Sequence, residues 1–123
     1  MAFKVLYIED NPDNKLLVQR AMEARGYSFM WAQNGLEGLQ AANDARPNVI
    51  LLDINLPDID GYEVARRLRK SSPELRYIPI IAITANALKG DAEAALSAGC
   101  DVYMAKPINI RELWARVEGF RKE

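Results

Sequence analysis

The sequence has no histidine and a single cysteine, Cys100. Without an imidazole the chain lacks Ser-His-Asp and Cys-His catalysis, histidine metal ligation and any phosphohistidine of its own. One thiol makes no internal disulfide and reads as a small core hydrophobe. An excess of charge of one sign is also missing. Sixteen basic side chains stand against 17 acidic ones, for a net charge of −1, which argues against binding dominated by neutralisation of a nucleic-acid backbone. No run approaches the roughly 18 apolar residues of a membrane span, and the N-terminus carries no apolar signal region. The expectation is a cytoplasmic protein with no membrane insertion and no direct nucleic-acid contact. Chemistry is left to carboxylates, lysine, threonine, tyrosine and backbone groups.

Apolar material is sufficient for one core: 50% of the 123 residues are hydrophobic, and a chain of this length needs no disulfide or structural metal. A single domain over residues 1–123 is expected. Short aliphatic or β-branched runs at 5–8, 28–32, 49–52, 78–84 and 102–105 alternate with segments of helical period, the pattern of β-α units around a parallel sheet. The first, third and fourth runs are nearly all apolar, as central strands covered on both faces require. Leu17, Val18, Ala21 and Met22 form the stripe of the first helix, and Ile110, Leu113, Trp114 and Val117 that of the last. Asn11-Pro12 reads as N-cap and first helical residue, and Gly26 and Gly99 as C-terminal caps. The fourth helix, residues 88–98, is mostly alanine with Leu96 and should be the most loosely held. Right-handed crossovers on five parallel strands favour a doubly wound, flavodoxin-like sheet of order 2-1-3-4-5 with five helices.

In such sheets ligands bind beyond the carboxyl ends of the strands, at the switch point in their order. Glu9 and Asp10 end the first strand, Asp53 the third, Thr84 the fourth and Lys106 the fifth. Two unit charges about 4 Å apart repel by about 4 kcal/mol at an effective dielectric near 20, so three ionised carboxylates in one pocket need a cation. Lys106 alone does not balance them. A hard divalent ion held by carboxylates, a carbonyl and water is the usual Mg²⁺ arrangement. A carboxylate can attack phosphorus while a metal, an ammonium and a hydroxyl stabilise the transferred oxygens. The residues therefore point to a metal-assisted aspartyl-phosphate site. Asn55 and Asn86, two residues past Asp53 and Thr84, should flank the attacking water and tune the lifetime of the phosphoryl group, since an amide orients water but is too weak a base to deprotonate it.

Taken singly, each residue has a plainer reading. Glu9 and Asp10 could favour a helix N-terminus, Thr84 and Tyr103 are ordinary strand residues, and Lys106-Pro107 reads as a turn. Only their convergence on one edge carries the chemistry. Gly61 is read as a turn residue, and Cys100 and Trp114 as packing residues.

The set Glu9-Asp10-Asn11, Asp53 within Leu-Leu-Asp-Ile-Asn-Leu-Pro, Gly61, Thr84-Ala85 and Lys106-Pro107 resembles the bacterial response-regulator receiver domains of the CheY-like family, over the whole chain. The resemblance implies that Asp53 accepts a phosphoryl group from a histidine kinase or histidine phosphotransfer protein. It also implies that Asp10 ligates Mg²⁺ directly, that Glu9 does so directly or through water, and that Asp53 and the backbone carbonyl of Asn55 complete the protein's share. Lys106 and Thr84 would contact the phosphoryl oxygens, Lys106-Pro107 would be a cis peptide, and Thr84 and Tyr103 would form the switch. The output would be a change in the face of the fourth helix, fifth strand and fifth helix that controls a protein partner. Such a chain is not an enzyme beyond its own phosphorylation and dephosphorylation.

Three other functions fit less well. A flavin or nucleotide carrier needs a Gly, Ser and Thr-rich first loop, where this chain has Glu9-Asp10-Asn11-Pro12-Asp13. A small-molecule phosphatase with an aspartyl nucleophile usually has a second acid two residues on, where Asn55 stands. A receiver-like module that is never phosphorylated would not need Asp53, Thr84 and Lys106 together. Glu123 follows the last helix directly, so the expectation is a single-domain regulator, with a receiver excised from a hybrid kinase as the alternative.

Overall fold

The computed structural model describes residues 3–85 and 90–121, without the side chain of residue 91. In chain order the elements are β1 (Lys4–Ile8), α1 (Pro12–Ala24), β2 (Ser28–Ala32), α2 (Gly35–Ala45), β3 (Val49–Asp53), α3 (Gly61–Arg69), a single helical turn (Pro73–Arg76), β4 (Ile80–Thr84), α4 (Asp91–Ala98), β5 (Val102–Ala105) and α5 (Ile110–Gly119). The strands form one parallel sheet of order β2-β1-β3-β4-β5, as the sequence pattern implies.

Period-two alternation sends each central strand's side chains to both faces. Leu6, Ile8, Ile50, Leu52, Ile80 and Ala82 face a core completed by α2, α3 and α4. Val5, Tyr7, Val49, Leu51, Ile81 and Ile83 face a second core completed by Val18 and Met22 of α1 and Leu113 and Val117 of α5. Every residue of β3 and β4 is buried, which explains why those runs show no polar alternation. Cys100 is buried in the first core, where burial pushes its thiol up to about 11. Trp114 ties α5 to α1 by donating Nε1–H to the Ala21 carbonyl at 2.8 Å.

Local signals fix the element ends. Asn11 caps α1, its Oδ1 accepting from the backbone N–H groups of Asp13 at 2.8 Å and Asn14 at 3.0 Å, with Pro12 in the first helical position. Gly26 and Gly99 follow α1 and α4 with φ of 78° and 110°, the left-handed geometry that glycine adopts without strain. Beyond single residues at the ends of β1 and β3, two features differ from expectation. Strand β4 begins at Ile80 rather than residue 78, because Pro79 has no N–H to give a ladder while its carbonyl accepts from Ile50 at 2.9 Å. The helical turn at Pro73–Arg76 is an additional element: Ser71-Ser72-Pro73 has the composition of a loop, but proline at N1 also starts helices. The described part of the fourth helix is Asp91–Ala98. It gives only Ala95 and Ala98 to the core and leaves Leu96 55% exposed, in keeping with the poor stripe. Among the described residues no helix is long and apolar enough to cross a membrane.

Candidate phosphoryl-acceptor site

Parallel pairing brings the ends of β1, β3, β4 and β5 to one edge. The ladder runs one residue past β1, where Glu9 N–H donates to the Ala32 carbonyl at 3.0 Å. This holds Glu9 in line with the strand before Asn11 and Pro12 start α1. Glu9 is 1% exposed, Asp53 1% and Thr84 2%, the buried polar or charged side chains among the described residues apart from two tyrosines and Cys100. Asp10 is exposed. One carboxylate oxygen from each of Glu9, Asp10 and Asp53 lies within 4.8 Å of the others.

Glu9 is the most heavily bonded member. Its Oε1 accepts from Tyr7 OH at 2.8 Å and Lys106 Nζ at 3.0 Å, with the Asn14 amide at 3.5 Å. Its Oε2 accepts from Asn11 N–H at 3.1 Å. Burial works to raise the Glu9 pKa, but the hydrogen bonds from Tyr7, Lys106 and Asn11 outweigh it and hold the carboxyl below its ordinary value. Asp53 fares differently. Its Oδ1 accepts from Asn55 N–H at 3.1 Å and its Oδ2 lies 3.4 Å from Lys106 Nζ, yet burial pushes its pKa up to about 6, and the Glu9 charge adds to the rise. The Asp53 carboxylate is thus short of positive charge.

That shortage is where a divalent cation fits. Three hard oxygen donors converge, one ammonium serves two of them, and an added cation favours the ionised form of Asp53. On the other side of Asp53, Thr84 Oγ1 donates to Asn55 Oδ1 at 3.5 Å. Lys106 N–H donates to the Thr84 carbonyl at 2.7 Å, joining the ends of β4 and β5. The Lys106-Pro107 peptide is cis. Tyr103 is half-buried on β5 against the core that α2, α3 and α4 cover. Asn86 lies outside the described residues.

Four neighbours were not singled out from sequence. Tyr7 lies two residues before Glu9 on the same side of β1. Trp31 on β2 donates Nε1–H to the Glu9 carbonyl at 2.6 Å. Asn14, one turn into α1, brings its side-chain amide to Glu9. Asp58 accepts from the N–H groups of Gly35 at 2.8 Å and Leu36 at 2.9 Å, tying the loop after Asp53 to the start of α2. The period-two spacing of Tyr7 and Glu9 was a usable signal. The other three depend on tertiary neighbours. Gly61, read as a turn residue, has a stricter role: a Cβ there would lie 2.6 Å from Ile54 Cα and 2.8 Å from the Asp53 carbonyl oxygen.

An open parallel sheet whose carboxyl edge gathers hard oxygen donors beside a lysine and a threonine, where a nucleotide carrier would offer a glycine-rich loop, suits a divalent cation and a phosphoryl group. The response regulator receiver domain family matches residues 5–118, and the chain belongs to that family. It is accordingly a phosphorylation-dependent signalling switch of two-component type, with Mg²⁺ as its cofactor and a histidine kinase as its implied donor, and it is not a conventional enzyme. The polar-differentiation response regulator DivK of Brucella anthropi is 46% identical over 110 residues, 89% of each chain. The receiver domain of a sensor histidine kinase from Pseudomonas aeruginosa PAO1, solved with a magnesium ion coordinated in its active-site cleft, is 36% identical over 98% of each chain, with a TM-score of 0.88. The Vibrio cholerae chemotaxis protein CheY4 superposes with a TM-score of 0.91 at 26% identity, covering 98% of this chain and 99% of its own.

Proposed function

We propose that Asp53 is the phosphoacceptor, that Glu9, Asp10, Asp53 and the Asn55 carbonyl hold Mg²⁺, and that Lys106 and Thr84 bind the phosphoryl oxygens. The observation that carries this reading is the position of Asp53: it is buried within the acidic trio, 3.4 Å from the Lys106 ammonium, and linked through Asn55 to the Thr84 hydroxyl. An Asp53 oxygen attacks the phosphorus of a phosphohistidine. The new P–O bond forms as the P–N bond breaks, and the imidazole nitrogen keeps the electron pair. Bound Mg²⁺ supplies positive charge to the oxygens of the transferred group. Lys106 and Thr84 meet the remaining charge with an ammonium and a hydroxyl. Hydrolysis later returns phosphate to water and the carboxylate to Asp53, with Asn55 and Asn86 setting the lifetime by guiding or obstructing that water.

The donor is a histidine kinase or histidine phosphotransfer protein, and a downstream protein is controlled through the face of α4, β5 and α5. Cytoplasmic placement goes with this reading, because a phosphohistidine donor is made where ATP is. One sheet between two continuous cores supports treating residues 1–123 as one receiver domain. Incubation with a small phosphodonor and Mg²⁺ should add about 80 Da, one phosphoryl group, as an alkali-labile adduct. Full uptake by Asp53→Asn would overturn the assignment.

A further inference from the structure

Tyr7 is fully buried in the central strand β1, packed in the core that α1 and α5 cover. A hydroxyl there needs a partner, and it takes Glu9 Oε1 at 2.8 Å. Lys106 Nζ approaches the same oxygen at 3.0 Å and also serves Asp53 Oδ2 at 3.4 Å. The ammonium thus stands between a carboxylate it already satisfies and the one proposed to receive the phosphoryl group.

Turning Lys106 toward phosphoryl oxygens removes it from Glu9. Glu9 is 1% exposed, so water does not replace the lost contact; the Asn11 N–H serves the other oxygen, Oε2, and a buried Oε1 that loses a donor is disfavoured. The remaining donor to Oε1 at short range is the Tyr7 hydroxyl, since the Asn14 amide stands at 3.5 Å. A phenol facing an acceptor-only carboxylate oxygen at 2.8 Å is the O–H donor of the pair.

We propose that Tyr7 is a positioning residue for phosphoryl transfer, holding Glu9 Oε1 so that the Lys106 ammonium is free to leave Glu9 for the incoming phosphoryl group. The inference rests on the reading of Asp53 as acceptor and Lys106 as its phosphoryl partner. With the hydroxyl removed, Glu9 retains Lys106, and transfer slows without any change in the way the phosphodonor binds.

The test uses the full chain, phosphoramidate as donor and saturating Mg²⁺, with uptake followed by intact mass. Tyr7→Phe keeps the buried ring and should lower the maximal rate about tenfold, with the half-saturating phosphoramidate concentration unchanged within about twofold. In a Glu9→Gln background, where no buried charge competes for Lys106, the same substitution should change the rate less than about twofold. A Tyr7→Phe rate within twofold of wild type, or an equal loss in both backgrounds, overturns the proposal. A second readout needs no variant. The Tyr7 hydroxyl proton should be protected and visible by NMR both before and after addition of beryllofluoride and Mg²⁺, and its loss on addition also overturns the proposal. Uptake by Asp53→Asn signals instead that the underlying acceptor assignment is wrong.

Discussion

The Lys106 ammonium pairs more closely with Glu9, 3.0 Å from Oε1, than with Asp53, 3.4 Å from Oδ2. The two buried carboxylates are therefore unequal. Glu9 is stabilised in its ionised form, while Asp53 bears the unfavourable part of the site's negative charge. In the metal-free protein the proposed acceptor is a strained charge held in place by the fold, and a cation or a phosphoryl group relieves a different part of that strain.

This inequality has a measurable effect on stability. The folded-state pKa of Asp53, about 6, lies above its ordinary value of 3.8. The native state therefore binds more protons than the unfolded state between about pH 4 and pH 6, and stability falls as pH rises through that window. Above it the full penalty is present. Asp53→Asn should stabilise the metal-free protein at pH 7.5 by about 1–3 kcal/mol, with the gain disappearing near pH 4. Urea unfolding in the presence of a chelator measures both limits, and a variant no more stable than wild type at pH 7.5 would contradict this account.

Mg²⁺ binding should depend on the same proton. Below about pH 6 the ion competes with protonation of Asp53, so affinity falls as pH is lowered. Asp10 is the exposed member of the trio, and Asp10→Asn should weaken Mg²⁺ at least about tenfold while changing urea stability by less than about 0.5 kcal/mol. Trp31, bonded to the Glu9 carbonyl, supplies a fluorescence signal for the titration. Unchanged affinity in the variant would remove Asp10 from the ligand set.

Gly61 should tolerate no side chain. An alanine Cβ would meet backbone atoms at 2.6 and 2.8 Å, and backbone does not move aside as a flexible side chain would. Gly61→Ala should cost about 2–4 kcal/mol and weaken Mg²⁺ binding, because the atoms displaced belong to Asp53 and Ile54. A thermal midpoint within a degree or two of wild type would show that α3 can shift away from the strand end.

The contrast between Gly61 and Asp53 shows what the sequence could and could not disclose. Asp53 follows four apolar residues at the end of a buried strand, so its type and position already demand a partner. The strand order follows from alternation and crossover handedness, and the convergence of Glu9, Asp53, Thr84 and Lys106 follows from strand order. Gly61 gave only a turn signal, because the clash it avoids is with backbone seven and eight residues away in the chain. Trp31 and Asp58 act through contacts from other elements, and no local spacing marks them. The early start expected for β4 overlooked the missing N–H of Pro79, a local signal that the apolar run concealed.

In parallel register Tyr103 of β5 lies opposite Ala82 of β4, and Thr84 opposite Ala105. Ala82 and Thr84 are two residues apart, so Thr84, Ala82 and Tyr103 share the sheet face that α4 covers. Ala82 fills little of the space between the hydroxyl and the ring. A phosphoryl group on Asp53 adds acceptor oxygens, and the Thr84 hydroxyl, now directed at Asn55 Oδ1 at 3.5 Å, would turn toward them. The half-buried Tyr103 ring packs against the core on this face and should gain burial by moving toward the volume so vacated. Among the described residues of α4 only alanines reach the core on that face, with Leu96 turned outward, so this helix should respond most to a small bias. A coupling of about 1–3 kcal/mol is enough to shift such an equilibrium severalfold or more. Beryllofluoride with Mg²⁺ should therefore shift the amide resonances of β5 and α4 in the wild type. Thr84→Ala should lose at least half of that response while still binding the analogue, and Tyr103→Ala should lose the α4 response while retaining shifts around Asp53. Shifts in α4 and β5 as large in Thr84→Ala as in wild type would rule out this route even with Asp53 as acceptor.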